Sequence, residues 1–139
     1  MHWFFWALLS ALLVGLTDIL AKMGMKGISP NVAVAVRSLV VIVVVGFVVT
    51  FTRKWHQFAT LEKRAWLLLI LSGLTTAIGW ICLFQALQKG DASRAVPIDK
   101  LSLVFAIFFA AVFLHEKLTW HHWVGGSLMA VGAAVIALK

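Results

Sequence analysis

Charge is scarce in this sequence. Asp, Glu, Lys and Arg make up 12% of its 139 residues, where a soluble domain carries roughly a quarter, and 63% of the chain is hydrophobic. That leaves too little polar surface to cover a globule in water. The single cysteine, Cys82, excludes an intrachain disulfide and any metal site built from several cysteines. Long basic runs are missing too. The formal charge of +7 arises without any stretch of five like charges, and Lys and Arg stand mainly at the edges of apolar runs. No nucleic-acid partner is therefore expected, and anionic headgroups together with membrane topology account for the basic balance. The first apolar run lacks the basic start of a cleavable signal: it opens on His2-Trp3-Phe4-Phe5-Trp6, contains Asp18 and is followed by no evident cleavage site. It is expected to stay as a helix.

What remains is a set of apolar runs about as long as a bilayer is thick. Five candidate spans emerge, at 3–23, 31–51, 66–87, 95–114 and 121–138, so the fold class expected is an all-α integral membrane protein with five transmembrane helices. Trp3, Trp6, Trp55, Trp66, Trp120 and Trp123 fall near span ends, where amphipathic rings prefer to sit. Gly24, Gly27 and Ser29-Pro30-Asn31 break the first helix and start the second. Arg53-Lys54 and Glu62-Lys63-Arg64 bound the longest polar connection, Lys89 to Arg94 forms the next, and Pro97 is expected in the first turn of the fourth span. No internal repeat is visible, and residues 1–139 read as one membrane domain.

Five spans place the chain ends on opposite sides. The side of the N-terminus holds Arg53, Lys54, Lys63, Arg64 and Lys117; the other holds Lys22, Lys26, Lys89, Arg94, Lys100 and Lys139, with Arg37 deeper in its helix. Orientation follows the side richer in Lys and Arg, so five against six specifies it weakly. Either the span ends hide a bias, or the chain has dual topology. In the second case, copies inserted both ways pair antiparallel, as inverted repeats do within one chain.

Charges inside the spans point to a site. Asp18 lies roughly 7 Å, and Arg37 roughly 9 Å, in from the same side of the membrane, and Asp99 and Lys100 enter from that side too. An ionisable group there should face other helices or water. Asp18 and Lys22 can pair along one helix face; Asp18 with Arg37, and Asp99 with either cation, are possible interhelical pairs. Lys22 and Lys100 can instead snorkel to headgroups, and Asp99 can cap a helix. Thr75, Thr76, Trp80 and Gln85 would complete the lining, Trp80 suiting a cationic or aromatic ligand. His2, His56, His115, His121 and His122 share the other side, but their spacing matches no helical metal-ligand pair, and neither a metal nor a cofactor is expected. Glu116 is expected to order the last turn between spans. Gly126, Ala130 and Ala134 recur every four residues, a face suited to close helix packing within the chain or to a dimer seam.

In combination, Gly15 and Lys22 in the first span, Pro30 and Arg37 in the second, Leu83-Phe84-Gln85-Ala86-Leu87 through Gly90-Asp91-Ala92-Ser93, Pro97, Glu116 and Gly125 to Gly132 resemble one EamA domain of the drug/metabolite transporter superfamily. The resemblance covers nearly the whole chain. It implies one five-helix half of a transporter whose longer members carry two inverted repeats around a central cavity and work by alternating access. It also implies a second copy or a sister subunit, as in the small multidrug resistance branch. Ile98-Asp99-Lys100 departs from the apolar residues this family places after the proline.

The expectation is a small transporter subunit in the bacterial inner (plasma) membrane, moving a small metabolite or cation as an antiparallel dimer. Its site would comprise Asp18, Lys22, Arg37, Trp80, Gln85, Asp99 and Lys100. Asp18 or Asp99 would exchange protons or bind substrate, with Arg37 and Lys100 tuning that exchange or holding an anionic group. The alternatives are a subunit of a lipid-linked substrate flippase and a non-transporting membrane assembly subunit. No nucleophile with its base is evident, so no enzyme is expected.

Overall fold

A computed structural model describes residues 2–138, without the side chain of His2. Lys139, counted above among the flanking charges, and the His2 side chain lie outside the described residues. Helix α1 (His2–Gly24) is rich in Leu and Ala and ends at Gly24. Gly27 then takes φ 77, a left-handed turn that suits a residue without Cβ. Ser29 is extended, as a residue before proline tends to be, and Pro30 opens helix α2 (Pro30–Phe51), where its missing amide hydrogen is no loss. This helix is built largely of valine, a weak helix former in water. In lipid an unpaired backbone group costs more than valine's stiff side chain, so the helix persists.

Arg53 ends α2 in the left-handed region at φ 53, with its amide donating to the Thr50 carbonyl and the Lys54 amide to that of Val49. These two bonds make a Schellman stop without glycine. The polar connection contains a short helix, α3 (His56–Thr60), whose five residues carry too little periodicity to read from sequence. Helix α4 (Lys63–Lys89) extends a few residues beyond the expected 66–87 at both ends.

The fourth span departs from the expected single helix at 95–114. Asp91, extended, starts helix α5 (Ala92–Asp99) early, and Pro97 therefore falls inside the helix rather than in its first turn. Proline interrupts the ladder from within. The chain turns through Lys100 and Leu101, whose amide reaches only three residues back to Ile98, and resumes as α6 (Ser102–Phe113). His115 follows at φ 54, and Thr119 starts α7 (Trp120–Ala137) with a capping box closed by His122: the Thr119 amide donates to Nδ1 at 3.2 Å, and the Thr119 hydroxyl lies 2.7 Å from the same atom. That ring is used in helix capping.

Among the described residues four stretches are long and apolar enough to cross a membrane: Trp3–Gly24, Pro30–Phe51, Lys63–Lys89 and Ala92–Phe113, the last running through the break. Their side chains are overwhelmingly exposed apolar groups, the surface a lipid solvent favours. Helix α7 has 18 residues, opening on Trp120-His121-His122.

The chain gathers into two compact units, one of the residues up to Ile19 together with those from Lys89 onward, the other Leu20–Gln88. In the first, α7 packs against α5 and α6. Gly126 is buried, and a Cβ added there would meet Ile107 Cδ1 at 3.9 Å; Ala133 is buried as well. Ala130 is half-buried and Ala134 exposed. The small-residue face is thus used in part for packing within the chain. In the second unit Met25, Val34, Leu83, Phe84 and Leu87 are buried.

Candidate functional site

The charged residues expected at the site fall into two groups, Asp18, Asp99 and Lys100 in the first unit and Lys22 and Arg37 in the second. In the first, the break between α5 and α6 places Lys100 where its ammonium meets two carboxylates: Nζ lies 3.5 Å from Oδ2 of Asp18 on α1 and 3.3 Å from Oδ2 of Asp99. The Asp18 side chain is only 4% exposed, whereas those of Lys100 and Asp99 are 38% and 36% exposed. A buried carboxylate is tolerable when paired, and Lys100 is its ion-pair partner. Ionised, the three groups carry two negative charges and one positive. Beside the cluster Val96, Pro97, Lys100, Leu103, Met129, Gly132 and Ala133 line an open groove of about 370 Å³. A larger cavity of about 600 Å³ between α6 and α7, bordered by Phe105, Phe108, Trp123, Gly126 and Ala130, is almost wholly apolar.

The Asp18–Lys100 contact has a measurable consequence. Lys100→Met leaves Asp18 without its ion-pair partner and is expected to lower stability by about 1–3 kcal/mol, the usual cost of orphaning a buried polar group, read as a lower unfolding midpoint in detergent. Adding Asp18→Asn is expected to recover most of that loss. A midpoint unchanged by Lys100→Met would show that the pair contributes nothing.

In the second unit, the guanidinium carbon of Arg37 on α2 lies 4.3 Å from the Trp80 ring centre and 5.7 Å from that of Phe84, both on α4. The ring that sequence offered to a cationic ligand is thus faced by the chain's own cation. Lys22 donates through Nζ to the Leu87 carbonyl. Gln88 Nε2 donates to the Ile28 carbonyl at 2.9 Å, joining the α1–α2 connection to the end of α4. Gln85, chosen from sequence for the lining, is exposed, as are Thr75 and Thr76, whose hydroxyls donate to carbonyls of their own helix. Sequence reasoning missed Gln88, although a second glutamine near the helix end was visible, and the capping role of His122, whose only signal was Thr119 three residues before it.

Short-looped apolar helices define a multi-pass membrane protein, and the family match puts it in the transporter class. The chain belongs to the EamA-like transporter family, whose model matches residues 1–138. It is 41% identical over 136 residues to an uncharacterized transporter in the cobO 3′ region of a Sinorhizobium species, covering 98% of this chain and 96% of that protein. Over 68 residues it is 28% identical to a probable 4-amino-4-deoxy-L-arabinose-phosphoundecaprenol flippase subunit ArnE of Aeromonas salmonicida, covering 49% of this chain and 60% of the subunit. An uncharacterized transporter of Synechocystis is 30% identical over 81 residues, which make up 58% of this chain but 23% of that longer protein. No solved structure matches the chain.

Proposed function

We propose that this small membrane transporter works at the bacterial inner membrane as half of a two-subunit assembly, moving a small metabolite or cation by alternating access, with Asp18, Asp99 and Lys100 as its exchange site. The observation that carries this reading is the buried Asp18 carboxylate held by Lys100 at the break in the fourth span. In the empty, proton-loaded state one carboxylate carries the proton. An arriving cationic group replaces it, so proton and substrate compete for one charge vacancy. Substrate chemistry stays at the level of a small cationic or zwitterionic metabolite, and catalysis is no part of this reading.

We read Trp120–Ala137 as the fifth span, which makes the chain one inverted-repeat half, residues 1–139 forming one domain. The partner half is a second, antiparallel copy or a sister subunit. The longer Synechocystis relative, of which the matched part is 23%, is in keeping with such a half. A second reading, a lipid-linked substrate flippase subunit, draws support from the similarity to ArnE over 68 residues.

Proteoliposomes with an imposed pH gradient test the exchange cycle. Among a panel of amines and zwitterionic metabolites, at least one is expected to accumulate and to be lost on adding a protonophore. Accumulation that ignores the protonophore for every compound would remove the proton from the cycle.

A further inference from the structure

Arg37 is the only charged residue of α2. Its guanidinium faces Trp80 at 4.3 Å and Phe84 at 5.7 Å, and Nη1 is buried with no hydrogen-bond partner. Among the described residues no carboxylate forms an ion pair with it. Nor can its own unit supply one. Glu62 is the single acidic residue from Leu20 to Gln88, and it stands just before α4, roughly 27 Å of helix rise ahead of Trp80.

A ring face attracts a guanidinium but accepts no in-plane hydrogen bond, so Trp80 fixes the orientation of Arg37 without using its N–H fork. A planar fork held by a ring, with a buried donor still unmet, is the arrangement that binds an oxyanion through paired hydrogen bonds. We propose that Arg37, oriented by Trp80 and Phe84, is an oxyanion subsite that takes the phosphate or carboxylate group of a ligand, supplied either from solution or by a lipid headgroup. The subsite depends on α2 and α4 being membrane helices and not on the proton cycle at Asp18, so either can fail alone.

Binding to the whole protein, without transport, provides the test. Wild-type protein in phosphatidylcholine nanodiscs is titrated with sodium phosphate or sodium acetate against a sodium chloride control. In parallel, discs are prepared with increasing mole fractions of phosphatidic acid, starting from none. Unfolding midpoint and tryptophan fluorescence are followed together. A ligand that prefers the folded protein raises the midpoint, and one seated at Arg37 perturbs Trp80. The proposal expects a saturable rise with phosphate, acetate or phosphatidic acid, the responding arm identifying the source.

Arg37→Lys keeps the charge but loses the fork, and is expected to weaken half-saturation on the order of tenfold. Trp80→Phe keeps the guanidinium, so the midpoint still responds while most of the fluorescence change disappears. This variant locates the site even if position 37 tolerates no change. No saturable response in any wild-type arm would overturn the proposal, as would equal affinity in Arg37→Lys or an undiminished fluorescence change in Trp80→Phe.

Discussion

Asn in place of Asp18 is expected to stop gradient-driven accumulation in proteoliposomes while leaving the protein folded. Asparagine matches aspartate in size and can still accept a hydrogen bond from Lys100, but it can neither carry charge nor release a proton. Lys100 keeps its contact with Asp99 at 3.3 Å, so no cation is stranded. The expected loss is at least about tenfold in accumulated substrate, equivalent to about 1.4 kcal/mol of coupling. Exchange of labelled for unlabelled substrate without a gradient is expected to continue. Asp99→Asn should have the smaller effect, because its carboxylate is 36% exposed and water can replace part of what it does. Undiminished gradient-driven accumulation in both variants would end the assignment of these carboxylates to the exchange site.

The second large effect concerns insertion. On the five-span reading, which sets five Lys and Arg against six, a few substitutions suffice to impose a direction. Adding lysines beside Arg53 and Lys63 in one variant, and beside Lys89 in another, is expected to give populations whose C-terminal reporter is active on opposite sides. If two antiparallel copies make one transporter, each biased variant alone loses nearly all transport, and expressing both together restores it. The unmodified chain is expected to show both reporter signals. Full transport by one biased variant expressed alone would dismiss the antiparallel homodimer and favour a sister subunit.

Hydropathy made most of the architecture legible, because a membrane helix must satisfy its own backbone and announces itself as a long apolar run. Pro30–Phe51 lies within one residue of the expected 31–51. The break at Lys100 was not legible: Ala95 to Leu114 is apolar enough to read as one helix, and Pro97 looks permissible until Asp91 is seen to start the helix earlier. For the charges, sequence could place Asp18, Arg37, Asp99 and Lys100 at similar depth but could not choose partners. Asp18 and Lys100 are far apart in the chain, and no periodicity connects them. Lys22 donating to the Leu87 carbonyl was beyond reach for another reason, since a backbone acceptor has no residue type. Trp80 was singled out as a ring suited to a cationic or aromatic ligand, and the structure sets the chain's own Arg37 over it.

The interruption between α5 and α6 also matters electrostatically. Each helix carries a partial negative charge at its C-terminal end and a partial positive one at its N-terminal end. Lys100 caps the C-terminal end of α5, and Asp99 stands just ahead of the N-terminal end of α6. Asp99, however, is also the last residue of α5 and Lys100 also precedes α6, so at this junction the two opposite poles largely cancel for both groups. The split span thus brings two opposite dipole ends together, and it is the pairing of Lys100 with Asp18 and Asp99 that makes a low-dielectric layer hospitable to charge there. Pro97→Ala would therefore alter the field at the carboxylates as well as the path of the backbone.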